Sequence, residues 1–287
     1  MAFAAVGMRI VGLGPGRTIV YDPKISKEVR APRLAYPMMH PVLIPHGSKL
    51  YALSRRPSIV QGTDFMPWFF VLDDLDAWIH LPPPPVFPCR INPLEYRDRP
   101  EVRVVSYALV GSHILLSVQQ DKGTGTCAFD VDAEEWAMVD DKNLPFIGQA
   151  VPLGGGRRFV ACSSAKGGEP AVYDIEVLRP GTSGTSKTEL NIVELPVESK
   201  GIVPGQLLCS MGKGSSSSFD IRSVDPGPEA MMEKARIVHR TYSQVEGDTA
   251  GTDNSVYIVK QQRQIFKLHD PFSHLAYPSP VVAALTM

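Results

Sequence analysis

The first candidate for chemistry is a glycine-rich segment, Gly12-Leu-Gly-Pro-Gly16, which follows a short apolar run. Glycine-rich loops hold phosphate when their backbone N–H groups gather at the N-terminus of a helix. Here the spacing is G-x-G-x-G, Pro15 removes one N–H donor, and another strand-like run follows instead of a helix. The segment therefore predicts a tight turn between two strands and no nucleotide site.

Histidine pairs are the second candidate, because neutral imidazole is a common metal ligand. His40 and His46 are separated by a strand-like run, and His269 and His274 flank Pro271. No carboxylate pattern accompanies either pair. We predict ordinary loop or core histidines, and no metal.

Cysteine chemistry is the third candidate. Copper-radical propeller oxidases combine Tyr, Cys and His ligands, and Cys162, Tyr173 and His239 supply these residue types without a recognisable motif. The chain has four cysteines, Cys89, Cys127, Cys162 and Cys209, and no C-x-x-C pair. This pattern is typical of a reduced protein and not of a zinc site or a disulfide framework. We therefore expect a cytoplasmic or nuclear protein.

Nucleophilic and acid–base sites are also not indicated. The sequence has no G-x-S-x-G motif, and two Ser/Gly-rich stretches, Gly181–Ser186 and Gly212–Ser218, are typical of loops between strands. Two carboxylate-rich stretches, Asp73–Asp76 and Asp130–Glu135, are typical of solvated hairpin turns. The sequence thus predicts no catalytic, cofactor-binding or metal-binding residue.

The composition limits the classes of partner. The 287 residues include 29 Lys plus Arg against 30 Asp plus Glu, which lacks the basic excess expected of non-specific nucleic-acid binding. No apolar run approaches the length of a membrane span, and no basic region precedes the apolar start at Met1–Met8. We expect a globular protein that binds neither nucleic acid nor membrane.

The elements that must position any site form a repeat. An apolar strand that ends in Asp recurs at intervals of about 50 residues. Its clear copies end at Asp22, Asp73, Asp130 and Asp174, and weaker copies follow at Ser218–Asp220 and Ile265–Asp270. A Trp follows two of them, at Trp78 and Trp136. We expect each Asp to cap a turn and each Trp to pack between neighbouring sheets. A period of this size, with four strands per unit, predicts an all-β fold, a β-propeller of about six blades.

Glycine turns and strand pairs place the boundaries of these units. The predicted blades are 8–35, 36–85, 101–145, 147–197, 203–245 and 250–287, in one domain. The first blade lacks a strand by this reading, so we expect the C-terminal segment, Val281–Leu285 or the strand before it, to close the ring by pairing beside the N-terminal strands. Pro228–Arg236 is the one predicted helix.

Three segments resemble a known family: Ile10–Asp22, Trp78–Pro85, and Gly125–Trp136 running into Leu144–Ala150. They are similar to an uncharacterised set of kelch-like proteins in grasses, a plant domain of unknown function related to F-box/kelch chains. The resemblance covers about residues 8 to 270 and implies a propeller without an established activity, cofactor or catalytic residue. The kelch glycine doublet is clear only in the fourth unit, and no F-box precedes the first blade.

Three functions remain open on this reading. The leading hypothesis is a monomeric, non-enzymatic scaffold that binds an unidentified protein through long loops, among them Ser54–Pro67, Pro82–Pro100 and Arg179–Thr188. The first alternative is a propeller enzyme or carbohydrate-binding module with a site at the central channel. The second is a truncated family member without an independent function.

Overall fold

The computed structural model describes fourteen segments of the chain: 2–14, 17–29, 31–38, 40–56, 58–60, 64–85, 103–119, 125–154, 156–179, 187–200, 207–212, 215–223, 234–245 and 256–269. Regular structure in these segments consists of strands, and no helix occurs among them. Accordingly, no helix long and apolar enough to cross a membrane is found in this part of the chain.

The strands form successive, mainly antiparallel groups, and we call each group a sheet. The first sheet contains β1 (Ala2–Val6), β2 (Arg9–Leu13), β3 (Thr18–Asp22) and β4 (Lys27–Val29). The second contains β5 (Val42–His46), β6 (Lys49–Leu53), β9 (Phe69–Asp73) and β10 (Ala77–His80), with a small hairpin of β7 (Ile59–Val60) and β8 (Asp64–Phe65) between β6 and β9. The third contains β11 (Arg103–Val110), β12 (His113–Gln119), β13 (Thr126–Asp130) and β14 (Glu135–Asp140).

Two further groups of strands follow. The fourth sheet contains β15 (Phe146–Gly154), β16 (Arg158–Ser163), β17 (Pro170–Leu178) and β18 (Glu189–Leu195). The fifth contains β19 (Val197–Lys200), β20 (Leu207–Gly212), β21 (Ser215–Ser223), β22 (Lys234–Val245) and β23 (Val256–His269). Each of the first four is a meander of four strands in chain order. The third and fourth meanders join in one eight-stranded sheet, because β11 and β15 pair in parallel at Ser106 with Gly148 and at Tyr107 with Gln149. The fold-class prediction, an all-β chain built of propeller-type blades, is confirmed.

The chain separates into two compact units. One consists of Met1–Gln149, Glu176–Asn191 and Met287, and the other of Ala150–Ile175 and Ile192–Thr286. The first three sheets lie in the first unit, and the fifth sheet lies in the second.

The first sheet is complete, which corrects the prediction that it lacks a strand. Residues Ala2–Val6 form β1, and Ala5 pairs with Ile10 across a two-residue turn at Gly7 and Met8. The sequence reading missed this strand because its short run of small apolar residues adjoins the N-terminus. The predicted closing segment, Val281–Leu285, lies outside the described residues.

The second sheet buries both of its faces. Leu50 and Ala52 of β6 join a core with the first sheet, through residues such as Val11. Tyr51 and Leu53 point the other way and join a core with the third sheet. Alternate side chains of one strand therefore fill two cores, one on each side of the sheet.

Two predictions for the later residues are changed by the structure. The predicted helix Pro228–Arg236 is wrong at its C-terminal end, because Lys234 begins strand β22. This strand pairs with β21, for example at Ile237 with Ile221. Pro228–Glu233 lie outside the described residues. Strand pairing along β21 overrides the helical composition. In addition, β22 and β23 pair with each other in one sheet, although the predicted boundaries assign them to the fifth and sixth blades. The number of blades stays a prediction.

Candidate functional site

A basic side chain faces the recurring aspartate in each of the first four sheets. In the first three sheets the basic residue begins the second strand, and in the fourth Arg157 directly precedes it; the aspartate lies on the neighbouring third strand. Three ion pairs result: Arg9 Nε with Asp22 Oδ2 at 3.4 Å, Lys49 Nζ with Asp73 Oδ2 at 3.7 Å, and an Arg157 guanidinium nitrogen with Asp174 Oδ1 at 3.0 Å. The equivalent contact in the third sheet joins His113 Nε2 and Asp130 Oδ2 at 3.4 Å. Sequence analysis found the aspartates and missed their partners.

Glycine turns bring these partners into register. Each basic residue lies one or two positions after a glycine with a left-handed backbone: φ is 56° at Gly7, 60° at Gly47, 58° at Gly111 and 80° at Gly156. Glycine adopts this conformation at little cost, which allows a tight turn between the first and second strands. The signal in the sequence is therefore Gly followed closely by Arg, Lys or His.

In the first three sheets, the turn between the third and fourth strands lies at the same end as the glycine turn. We call this end of a sheet its turn end. Asp22 Oδ1 accepts a hydrogen bond from the Lys24 backbone N–H at 2.9 Å, and Asp130 Oδ1 accepts from the N–H of Asp132 and Ala133 at 2.9 and 3.2 Å. The predicted turn-capping role is confirmed at these two aspartates. Asp174 differs because it lies within β17, which continues to Leu178.

The third sheet carries the largest polar group at its turn end. Arg179 reaches it, and one terminal guanidinium nitrogen of Arg179 lies 2.8 Å from Ser112 Oγ, 3.3 Å from Asp132 Oδ2 and 3.7 Å from Asp130 Oδ2. His113 completes the group from the buried side. One exposed cation thus holds together two turns of the sheet.

The electrostatics of this group favour a neutral histidine beside a charged aspartate. Burial lowers the pKa of His113, an effect that Asp130 opposes and Arg179 reinforces. Burial alone would raise the pKa of Asp130, but the two backbone N–H donors, His113 and Arg179 outweigh it and lower the pKa. The carboxylate is therefore already engaged as an acceptor, and the group is built to fix the turns.

The two tryptophans join neighbouring sheets, as predicted. The Trp78 indole N–H of the second sheet donates to Thr18 Oγ1 of the first at 3.1 Å. The Trp136 indole N–H of the third sheet donates to the carbonyl oxygen of Pro82 at 2.9 Å. Both rings pack against the cores between sheets, so they are structural and not ligand platforms.

The described residues of the glycine-rich segment lie at the end of β2, next to the predicted turn. Gly12 and Leu13 end β2, and the Gly14 N–H donates to the Arg17 carbonyl oxygen at 3.1 Å, directly before β3; Pro15 and Gly16 lie outside the described residues. Gly12 has a packing role that the sequence did not reveal. A Cβ at this position would lie 2.7 Å from the Phe3 ring, which crosses the backbone there.

The histidine pairs are not brought together as metal ligands in the segments that the structure describes. His40 is exposed in the loop before β5, and His46 is the last residue of that strand, so β5 separates them. His269 ends β23, and His274 lies outside the described residues. Among the residues described, no group of three or more His, Cys, Asp or Glu side chains could hold a metal ion.

The residue types of a copper-radical site lie on separate strands: Cys162 on β16, Tyr173 on β17 and His239 on β22. Three cysteines are free: Cys127, Cys162 and Cys209. Burial raises the pKa of all three thiols. They are therefore protonated near neutral pH and poor nucleophiles.

The serine-rich stretch Gly212–Ser218 is not a loop at its C-terminal end, which corrects the prediction. Ser215 begins β21, and the next three serines, Ser216 to Ser218, are buried. Ser217 Oγ and His239 Nε2 lie 3.0 Å apart, and the His239 ring stacks on Phe219 with ring centroids 4.5 Å apart. This serine–histidine contact has the types of a nucleophile and base, but Ser217 is 0% exposed. The contact satisfies a buried hydroxyl. The other serine-rich stretch, Gly181–Ser186, lies outside the described residues.

A match to a family model shows the protein family of the chain. The model of a family described as "Protein of unknown function (DUF1668)" matches residues 1–266. The chain belongs to the DUF1668 family. No curated protein matches the DUF1668 chain.

Solved structures that are similar to this DUF1668 chain include two with low sequence identity. A β-propeller domain of Cps50 (Swd1) from Myceliophteria thermophila is 12% identical, with 82% of this chain and 68% of that chain covered and a TM-score of 0.40. Hydrazine synthase from Kuenenia stuttgartiensis is 11% identical, with 84% of this chain and 64% of that chain covered and a TM-score of 0.38. Likenesses of this size say nothing about the activity of the DUF1668 chain.

Proposed function

We propose that this chain is a non-enzymatic scaffold that binds a protein partner through the turn ends of its sheets. The proposal includes the finer features that the sequence implies: a kelch-like propeller of about six blades, of grass origin, monomeric, and cytoplasmic or nuclear. It includes no cofactor, metal, membrane or nucleic acid as partner.

The packing of the second sheet supports the propeller. One face of this sheet shares a core with the first sheet and the other shares a core with the third. Successive sheets stacked face to face along the chain are the building principle of a propeller. The tryptophan bonds from Trp78 and Trp136 tie each of these sheets to the one before it.

One observation supports the scaffold proposal: the contact that fixes each turn end recurs, while the residues exposed at the turns differ from sheet to sheet. A contact between a basic residue and an aspartate recurs at the second and third strands of four sheets. In the first three of these sheets, the residue after the turn glycine takes no part in this contact and varies: Met8, Ser48 and Ser112. A rigid framework that presents different side chains at equivalent turns is the organisation of a recognition surface.

Site-specific photo-crosslinking in cells tests this proposal. A photoreactive amino acid replaces Ser48, an exposed tip residue, in the full chain. The matched control carries the same amino acid at Met138, which is 44% exposed and lies on the outer strand β14. We expect one discrete adduct from the Ser48 position, identified by mass spectrometry, and none from Met138.

Two results would contradict the proposal. One is the absence of an adduct from the Ser48 position in cells that express the protein. The other is an equal set of adducts from both positions, which would indicate non-specific proximity.

A further inference from the structure

The turn end of the first sheet differs from its counterparts in having exposed apolar side chains. Met8 is 54% exposed and Ile25 is 56% exposed. The counterparts of Met8 in the second and third sheets are Ser48 and Ser112, and in the second sheet the apolar turn residue Leu75 packs against the core. Among the first three sheets, exposed Met and Ile side chains at the turn end are therefore found in the first.

The two side chains project from the same end of one sheet. Met8 lies in the turn between β1 and β2, and Ile25 lies in the turn between β3 and β4. The sheet order is β1-β2-β3-β4, so the turns are about 10 Å apart at a strand spacing of about 4.8 Å. An extended peptide covers this distance in about three residues.

Positive charge surrounds these two side chains. Arg9, Lys24 and Lys27 are exposed, and the carboxylates near this end are those of Asp22 and of the exposed Glu28, which follows Lys27 on β4. Asp22 is the one that lies at the turn. That carboxylate side chain is 16% exposed and is engaged by Arg9 Nε and by the Lys24 backbone N–H. The surface of Met8, Arg9, Lys24, Ile25 and Lys27, which we call the first-sheet tip, is thus apolar and basic.

We infer that the first-sheet tip binds an extended peptide segment of a partner protein in which acidic residues stand beside apolar ones. The inference rests on the proposed scaffold function and specifies its surface and the chemistry of its ligand. Carboxylates of the peptide meet Lys24 and Lys27, since Arg9 already pairs with Asp22, and its apolar side chains cover Met8 and Ile25. A protein segment fits better than nucleic acid, because the chain carries 29 Lys plus Arg against 30 Asp plus Glu. It also fits better than a lipid surface, because two apolar side chains give little area for insertion.

The test starts with selection of phage-displayed random peptides on the immobilised full chain. The most enriched peptide is then synthesised with a fluorescent label, and its Kd is measured by anisotropy. We expect enriched peptides to combine Asp or Glu with apolar residues. We expect the Met8→Ser/Ile25→Ser variant to bind at least about tenfold more weakly, since two side chains lose their apolar contacts.

The controls separate the surface from the fold. Serine is the natural residue at the equivalent of Met8 in two other sheets, so the double variant retains a native-type turn. Ile147→Ser removes an apolar side chain that is 54% exposed on β15 and should leave the Kd unchanged. Lys24→Glu should weaken binding by up to about fivefold, and added salt should reduce this difference.

Each other outcome overturns the inference. Peptides that bind the double variant as well as the wild type would place recognition elsewhere and leave the scaffold proposal standing. A lack of enriched peptides would refute the first-sheet tip, while crosslinking at Ser48 would still test the scaffold. Co-sedimentation with phosphatidylserine vesicles that depends on Met8 and Ile25 would assign the tip to a membrane surface instead.

Discussion

The Trp136 indole N–H lies 2.9 Å from the carbonyl oxygen of Pro82 and donates a hydrogen bond to it. Trp136 lies on the third sheet, and Pro82 follows the last strand of the second. The same indole packs against Phe69 and Phe129, with ring centroids 5.3 and 5.1 Å apart. One side chain therefore joins two sheets by a polar contact and by aromatic packing.

Trp136→Phe should lower the free energy of unfolding by about 1 kcal/mol, because the ring packing is kept and the hydrogen bond is lost. Trp136→Ala should lower it by about 3 kcal/mol, since the aromatic contacts are also lost. Urea unfolding followed by circular dichroism measures both. Met138→Ala, on the same strand, is the control and should change stability by less than about 0.5 kcal/mol. Equal losses for Phe and Ala at position 136 would show that packing contributes little.

Asp130→Ala should destabilise the chain by about 2 kcal/mol, because two backbone N–H groups lose a charged acceptor. Asp130→Asn should cost less, since its amide oxygen can still accept these bonds. Asp132→Ala is the matched control, as its carboxylate is 71% exposed and pairs with Arg179 at the surface. A loss for the Asp132 variant as large as that for Asp130→Ala would contradict the capping role.

The pH dependence of the Asp130 effect follows from the lowered pKa of its carboxyl group. A carboxyl whose pKa is lower in the folded state stabilises the fold above the pKa of the unfolded chain, about 4. This stabilisation is lost as the pH falls through the folded pKa. Wild type and Asp130→Asn should therefore differ near pH 7 and converge in strong acid, as measured by urea unfolding at a series of pH values.

His113 should give the fold a second, separate dependence on pH. Burial lowers the pKa of its imidazole in the folded state, so the unfolded chain binds the proton more readily. Stability attributable to His113 is highest above the unfolded pKa of about 6.5 and declines as the pH falls from there to the folded pKa. His113→Asn should flatten the stability profile where the pH falls below the unfolded pKa of about 6.5. An unchanged slope in this window would exclude His113 as its source.

Gly12→Ala should cost about 1 to 2 kcal/mol, because the added methyl group would lie 2.7 Å from the Phe3 ring. Combined with Phe3→Leu, the cost should be smaller than the sum of the single variants. Gly7→Ala is the control, as its Cβ would meet nothing within 4 Å and its cost comes from a φ of 56°. The loss at Gly7 should add to that of Phe3→Leu without coupling. Thermal unfolding of all five variants gives both coupling energies.

The strands that sequence analysis found are those with a strong local pattern. The apolar runs that end in Asp located β3 at Thr18–Asp22 and β13 at Thr126–Asp130, because their apolar residues face buried cores. The turn-capping aspartates were found for a similar local reason, since Asp accepts hydrogen bonds from the two or three residues that follow it.

The features that sequence analysis missed depend on distant residues. Strand β1 is defined by its pairing with β2, and Lys234–Arg236 is extended because β21 pairs with it. The basic partners of the aspartates escaped notice because a pair such as Lys49 and Asp73 exists only once two strands are in register. Burial of Ser216–Ser218 likewise depends on neighbouring strands and not on composition.

Burial of both faces of the second sheet has a consequence for how its strands find their alignment. In a strand with one solvent-exposed face, the hydrophobic pattern fixes the pairing register, because a slip of one residue would expose the apolar side chains to water. In Leu50–Leu53 every residue is apolar or small and buried, so a slipped strand would still place apolar groups in both cores. Lys49 begins β6 and Asp73 ends β9, and the native alignment of these paired strands places their charged groups 3.7 Å apart. The ion pair at the strand ends therefore favours the native alignment of a strand whose interior residues are apolar on both faces.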